Sequence, residues 1–269
     1  DERTGTLMKV AGWSIPARGD APSRRTVVLV HGYADAKVGA IAWAPVWVGL
    51  GFNVLAIDLR AHGESGGRVC SGGYWERHDV AQVVSEWTAR NPDATREVYL
   101  FGASMGAAVA IAAAELLTRP EADRPAAGDA ATAAVMSPVA GVVLDSPFAD
   151  FAAASAAHFE LLGLPGGPVR RWALRLAGWT AQADFAAVRP VDLIPRVGCP
   201  VLVLAAGDDP YVTPAEAAAI ERATVGRGDG SSYHRFDGVE HLMAVVADPD
   251  GYRGAIEGFV RGRSAVGPS

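Results

Sequence analysis

At 269 residues, 50% hydrophobic and 20% charged, the chain can bury one sizeable α/β core and reads as a single soluble globular domain, residues 1–269. Its formal charge of −6 leaves no basic footprint, which excludes nucleic acid as a partner. Two cysteines, Cys70 and Cys199, are too few for a disulfide framework or a cysteine-based metal site and are read as free, buried thiols.

The chain opens at Asp1 without a Met or a signal-peptide pattern, which implies that whatever preceded it has been removed and leaves the compartment open. Leu7–Ile15 offers one strand, and Val27–Val30 a second that runs into His31-Gly32-Tyr33. From Val38 to Ile57 no residue is charged, a length that raises the question of a membrane span. Pro45, Gly49, Gly51 and Asn53 interrupt it, so it is read as a helix over Val38–Leu50 and a buried strand over Phe52–Ile57, with no span in this chain. A helix over Glu76–Arg90 follows, then a strand over Val98–Phe101 and an alanine-rich helix over Met105–Leu117. Thr118–Pro138, rich in Ala, Pro, Asp and Gly, is expected to be a long surface loop. After the strand Gly141–Leu144, the segment Phe148–Val188 turns helical, with Trp172, Leu176 and Trp179 at i, i+4, i+7 and a turn cluster at Gly163–Pro168. Inserted between two strands, it is expected to form a small helical cap above the sheet. Its apolar residues, Leu161, Leu162, Leu164, Trp172 and Trp179 among them, should be mostly core, with some lining an acyl pocket. Val201–Ala205 and the weaker Tyr233–Phe236 are the last strands, and Pro214–Ala223 and Pro249–Val260 the last helices. This alternation predicts an α/β fold, a mainly parallel sheet with helices on both faces.

Between the strand Val98–Phe101 and the helix from Met105 stands Gly102-Ala103-Ser104-Met105-Gly106, a G-x-S-x-G. A Ser at a strand-to-helix turn sits on a tight, strained corner where side chains two positions either side would collide, and Gly102 and Gly106 remove those side chains. The corner aims the Met105 N–H, at a helix N-terminus, toward a forming oxyanion. A second donor is expected from the loop after Val27–Val30, where Gly32 lets the backbone turn and presents the Tyr33 N–H; the Tyr33 hydroxyl is a further donor there. A Ser hydroxyl needs a base to take its proton and an acid to orient that base. Among six histidines, His241 lies between the last strand and the last helix, at a sheet edge within reach of the Ser. His31, at a strand end, is read as structural. For the acid, Asp208 and Asp209 both follow Val201–Ala205; one can cap the Asp-Pro turn, and Asp209 is preferred. Asp145, after Gly141–Leu144, is a third candidate.

Those residues sit within LVHGY (29–33), DLRAHGESGG (58–67), GASMG (102–106), LDSPF (144–148), GDDPYVTP (207–214) and EHL (240–242). In that order they resemble the α/β-hydrolase superfamily, close to its single-domain bacterial carboxylesterase and serine-aminopeptidase-like branch. The resemblance implies Ser104 as nucleophile, His241 as base and Asp209 as acid, the Asp three residues before the Val of D-x-x-V. It also implies that Asp58–Gly67 is a structural turn, with His62 and Glu64 as scaffold. Two departures stand out. Only Leu7–Ile15 precedes the H-G strand where relatives show two strands, which leaves room for an upstream leader or anchor, and the additional Asp208 could displace the acid by one residue.

The expected reaction is hydrolysis of a small-molecule carboxylic ester, of short to medium acyl length to fit a small roofed pocket, through an acyl-enzyme on Ser104. No cofactor and no metal are called for: the chain has no H-E-x-x-H, no G-x-x-x-x-G-K-[ST] and no G-x-G-x-x-G after a strand. The same triad would serve an amidase, an aminopeptidase or a thioesterase. An aminopeptidase also needs carboxylates at the pocket, and Asp150, Glu160 and Asp184 are expected on the cap's solvated face instead. A non-catalytic binding protein on the same fold is the reading from another class.

Overall fold

The computed structural model describes residues 5, 7–19, 21–120, 139–161, 163 and 167–264. Among the described residues seven strands, β1 (Gly12–Ile15), β2 (Arg25–Val30), β3 (Asn53–Ile57), β4 (Glu97–Ala103), β5 (Val139–Asp145), β6 (Val201–Ala206) and β7 (Ser232–Phe236), form one sheet. Their spatial order is β1-β3-β2-β4-β5-β6-β7, parallel throughout except that β1 runs antiparallel to β3.

The strands read as continuous apolar runs because both of their faces are covered. Side chains alternate along each strand, so Val28 and Val30 join one core while Val27 and Leu29 join the other. The first core is roofed by α2 (Glu76–Arg90) through Val80, Ala81 and Val84 and by the alanine-rich α3 (Met105–Thr118). The second is roofed by α1 (Ala44–Gly49) through Trp47 and by α9 (Pro249–Ser264) through Tyr252, Ile256 and Phe259. Nearly every side of α3 is buried, as expected of a helix that is apolar all round.

The expected helix over Val38–Leu50 is instead a 3-10 turn, Lys37–Ala42, followed by α1. Pro45 is the reason: it lacks an N–H and fits the first turn of a helix, not its interior. The charge-free run thus divides among a turn, a short helix and β3, and among the described residues no helix is long and apolar enough to cross a membrane. Of the predicted loop Thr118–Pro138, residues 121–138 lie outside the described residues, as do Leu162 and Leu164.

Between β5 and β6 come α4 (Phe151–Leu161), α5 (Pro168–Ala181), a 3-10 turn at Phe185–Ala187 and α6 (Pro190–Leu193). Phe151 stacks on Phe185 with ring centroids 4.8 Å apart, and Trp75 Nε1 donates to the Ala181 carbonyl at 3.0 Å, which fastens the segment to the body. Trp172, Leu176 and Trp179 do not enter the core as the periodicity suggested; all three are exposed. The opposite edge of α5, with Arg170, Leu174, Gly178 and Ala181, faces the protein. The remaining helices are α7 (Pro214–Val225), opened by a capping box between Thr213 and Glu216, and α8 (Ala244–Ala247).

Candidate active site

Ser104 links β4 to α3 with φ 54° and ψ −118°, a left-handed backbone that side chains rarely adopt and that costs on the order of 1–3 kcal/mol. Close packing holds it there. A Cβ on Gly102 would run into the Gly106 carbonyl, and one on Gly106 into the carbonyls of Val30 and His31. The Ser104 N–H donates to the Asp145 carbonyl and the Ala107 N–H to that of Ser104, both at 2.9 Å. A Cβ on Gly32 would lie 3.5 Å from Ser104 Cβ, so the loop after β2 rests directly on this corner. Among the described residues neither the Tyr33 nor the Met105 N–H is taken by a protein acceptor. The Tyr33 side chain itself is exposed, with its ring edge-on to His62 at 6.2 Å.

His31 lies beneath this loop. Its Nδ1–H donates to the Gly32 carbonyl at 2.7 Å and its Nε2 accepts from the Leu59 N–H at 2.9 Å, so both nitrogens are used. Burial lowers its pKa and keeps the ring neutral. The turn 58–67 is held by Lys37 and by its own Asp58. Asp58 accepts from the Lys37 N–H at 2.6 Å, from Lys37 Nζ at 2.7 Å and from the Glu64 N–H at 2.8 Å, and Glu64 also pairs with Lys37 Nζ at 2.6 Å. His62 Nδ1 meets the Arg60 carbonyl at 2.8 Å.

Beyond β6 the chain turns back on β7: the Gly207 N–H donates to the Phe236 carbonyl at 2.8 Å and the Asp208 N–H to that of Val239 at 3.0 Å. The Asp208 side chain is left exposed, while Asp209 turns inward. Asp209 Oδ1 accepts from the Tyr211 N–H at 2.9 Å, and Oδ2 accepts from His241 Nδ1–H at 2.6 Å. The pair is sheltered, with the two side chains 4% and 15% exposed, and the Tyr211 ring meets the imidazole edge-on at 4.9 Å. A carboxylate on Nδ1 selects the tautomer that leaves Nε2 free to accept a proton. Ser104, Asp209 and His241 therefore all stand where parallel strands end, at one edge of the sheet. No hydrogen bond joins Ser104 Oγ to His241 among the described residues.

Asp145, the third acid candidate, also stands at that edge but spends its oxygens elsewhere. Oδ2 accepts from Tyr252 Oη–H at 2.6 Å and Trp43 Nε1–H at 3.1 Å, and Oδ1 from Ser146 Oγ–H at 2.9 Å. Burial pushes its pKa up against the pull of these three donors. Ser146 Oγ in turn accepts from the Leu242 N–H at 3.1 Å, so the residue after His241 is tied to the end of β5. Ser146, Trp43 and Tyr252 carry no sequence pattern that marks them for this site; the only local signal is the position of LDSPF at a strand end.

Cys70 lies beside the corner, its Sγ 3.6 Å from Met105 Sδ. Burial, reinforced by the Glu76 charge, pushes its thiol up to about 12. At pH 8 its thiolate is then roughly 10³-fold scarcer than that of a free cysteine. Native protein treated with iodoacetamide at pH 8 is expected to stay unlabelled by intact mass and to take two labels after unfolding; rapid native labelling of Cys70 would contradict this.

Beside α5 is a cavity of about 610 Å³ lined by Asp150, Phe151, Arg175, Trp179, Asp184 and Arg189 among others, and by none of Ser104, Asp209 and His241. Asp150 is half-buried and lies 3.9 Å from Arg189, while Asp184 is exposed and accepts from the Ala186 N–H at 2.9 Å; Glu160 is exposed. Among the described residues no cluster of three or more His, Cys, Asp or Glu side chains is grouped to hold a metal ion.

Residues 21–162, more than half of the chain, match the family described as serine aminopeptidase, S33. The Bacillus subtilis (strain 168) protein YqkD is 27% identical over 267 residues, which cover 96% of this chain and 79% of YqkD. Rv2307c of Mycobacterium tuberculosis (strain ATCC 25618 / H37Rv) is 28% identical over 263 residues, covering 97% and 78%. Among solved structures, the Pyrococcus furiosus esterase Pf2001 superposes with a TM-score of 0.71 at 20% identity, over 95% of this chain and 88% of that one. Est1E from Butyrivibrio proteoclasticus, with ferulic acid bound, superposes with a TM-score of 0.68 at 17% identity, over 96% of each chain. These likenesses show the α/β-hydrolase fold.

Proposed function

Since the chain belongs to the serine aminopeptidase (S33) family of α/β-hydrolases, we propose that it is a serine hydrolase that cleaves carboxylic esters of short to medium acyl length through an acyl-enzyme on Ser104. The observation that carries this reading is the 2.6 Å bond from His241 to the sheltered Asp209, at the same sheet edge as the strained Ser104. His241 Nε2 takes the Ser104 proton as Oγ adds to the ester carbonyl. The oxyanion is met by the Tyr33 and Met105 N–H groups, donors that each contribute on the order of 3–4 kcal/mol to transition-state stabilisation when measured by removal. His241 then passes the proton to the leaving alcohol, and water, activated by the same base, releases the acid and restores Ser104. The chain acts as one domain, residues 1–269, with the segment 148–188 as its cap, and the reaction draws on no cofactor.

A second reading, an aminopeptidase or amidase with the same three residues, draws support from the family that the chain matches, serine aminopeptidase, S33. Asp150 and Asp184, the cap carboxylates that a substrate amine would need, line the cavity beside α5 and not the Ser104 corner. One experiment separates the two: p-nitrophenyl esters of graded acyl length and an aminoacyl p-nitroanilide are offered to the parent and to Ser104→Ala. Ester turnover that falls by at least about 10⁴-fold in Ser104→Ala is the expected result. Turnover of the anilide alone would replace the ester reading with the aminopeptidase, and silence on both would overturn hydrolysis of either class.

A further inference from the structure

Helix α5 shows solvent the face that a globular protein ordinarily hides. Trp172, Leu176 and Trp179 are 71%, 62% and 79% exposed, and their i, i+4, i+7 spacing stacks them along one edge. At about 100° per residue, Leu174, Gly178 and Ala181 fall on the opposite edge, the one that meets the protein. The same turn geometry puts Arg171 and Arg175 along one flank of the exposed stripe, while Arg170 falls on the edge that meets the protein. The helix carries no acidic residue, although the chain as a whole has a formal charge of −6. Among the described residues neither the Arg171 nor the Arg175 guanidinium group pairs with a carboxylate.

The combination points to one kind of partner. A second copy of the chain, meeting α5 face to face, would set cationic flank against cationic flank. A basic amphipathic helix with tryptophan on its apolar edge instead fits an anionic lipid surface, where indole rings settle at the headgroup level and arginine stems reach out to phosphate. With 14 residues α5 is too short to span a bilayer and would lie in its plane. The loop that leaves β2 at the Ser104 edge adds one exposed apolar side chain there, Tyr33 at 65%. We propose that α5 docks the protein on an anionic lipid surface, with Trp172, Leu176 and Trp179 in the acyl boundary and Arg171 and Arg175 against lipid phosphate. The docking stands whether or not the ester reading does.

The test is co-sedimentation of the full chain with vesicles of mixed phosphatidylcholine and phosphatidylglycerol, beside vesicles of phosphatidylcholine alone. The parent is expected to partition onto the anionic vesicles and to be released by salt. Arg171→Gln with Arg175→Gln should weaken partitioning about 25-fold, near fivefold for each charge. Trp172→Ser, Leu176→Ser and Trp179→Ser together should weaken it at least about tenfold. Unchanged far-UV circular dichroism certifies the fold of each variant, and salt release of the parent tests the charge contribution with no variant at all. Equal binding to neutral and anionic vesicles would overturn the proposal, as would undiminished binding of the serine variant. A self-association of the parent that the serine variant abolishes would assign the stripe to a second copy and overturn it as well.

Discussion

Asp209→Asn is expected to lower kcat on the best ester substrate about 10⁴-fold with little change in KM. The carboxylate holds His241 by accepting its Nδ1–H at 2.6 Å. An amide in its place can offer its NH₂ group to Nδ1 and so favours the opposite tautomer, in which Nε2 carries a proton and cannot take one from Ser104. His241→Ala should lose at least as much, because His241 is the base that Asp209 orients. Asp208→Asn should stay within about twofold of the parent, since that side chain is exposed and its N–H, not its carboxylate, holds the loop. The measurement is kcat and KM for these three variants and for Asp145→Asn. An active Asp209→Asn beside an inactive Asp145→Asn would move the acid to the end of β5.

The second large effect is on stability. Gly106→Ala is expected to cost about 3 kcal/mol or more, because the added methyl would run into the carbonyls of Val30 and His31. Both belong to the backbone where β2 ends in the middle of the sheet, so no flexible side chain can swing away. In a protein of this size that corresponds to a melting temperature roughly 6–12 °C lower. Gly254→Ala is the informative contrast: it lies on α9 with nothing within 4 Å of an added Cβ, and alanine there should stabilise by up to about 1 kcal/mol through helix propensity. Thermal unfolding of both variants checks the pair, and parent-like melting of Gly106→Ala would contradict the packing argument.

The corner at Ser104 is legible in the sequence because its physics is local. Two glycines around a serine, between a β-branched run and an alanine-rich helix, leave the backbone few other shapes. Strand and helix order, and with it the parallel sheet, is readable for the same reason, since burial on both faces removes the polar alternation from β2 to β6. The division of Val38–Ile57 is only partly legible. Pro45 marks an interruption, but how much of the stretch preceding it would be a 3-10 turn depends on Lys37 being drawn to Asp58.

What the sequence by itself determined is the set of candidate groups and the element that carries each, because propensity, periodicity and turn chemistry act over a few residues. What only the tertiary structure decided is which of them meet. The sequence prefers Asp209 over Asp208 and Asp145 without showing their contacts, and Asp209 meets His241 because the loops after β6 and β7 pack together. Asp145 is occupied by Trp43 and Tyr252, which lie 102 and 107 residues away in the chain. The stripe of Trp172, Leu176 and Trp179 makes the same point from the surface. Periodicity says that three side chains share an edge, but whether that edge faces core or solvent depends on what the rest of the chain brings up against it, and here it brings only the opposite edge of α5.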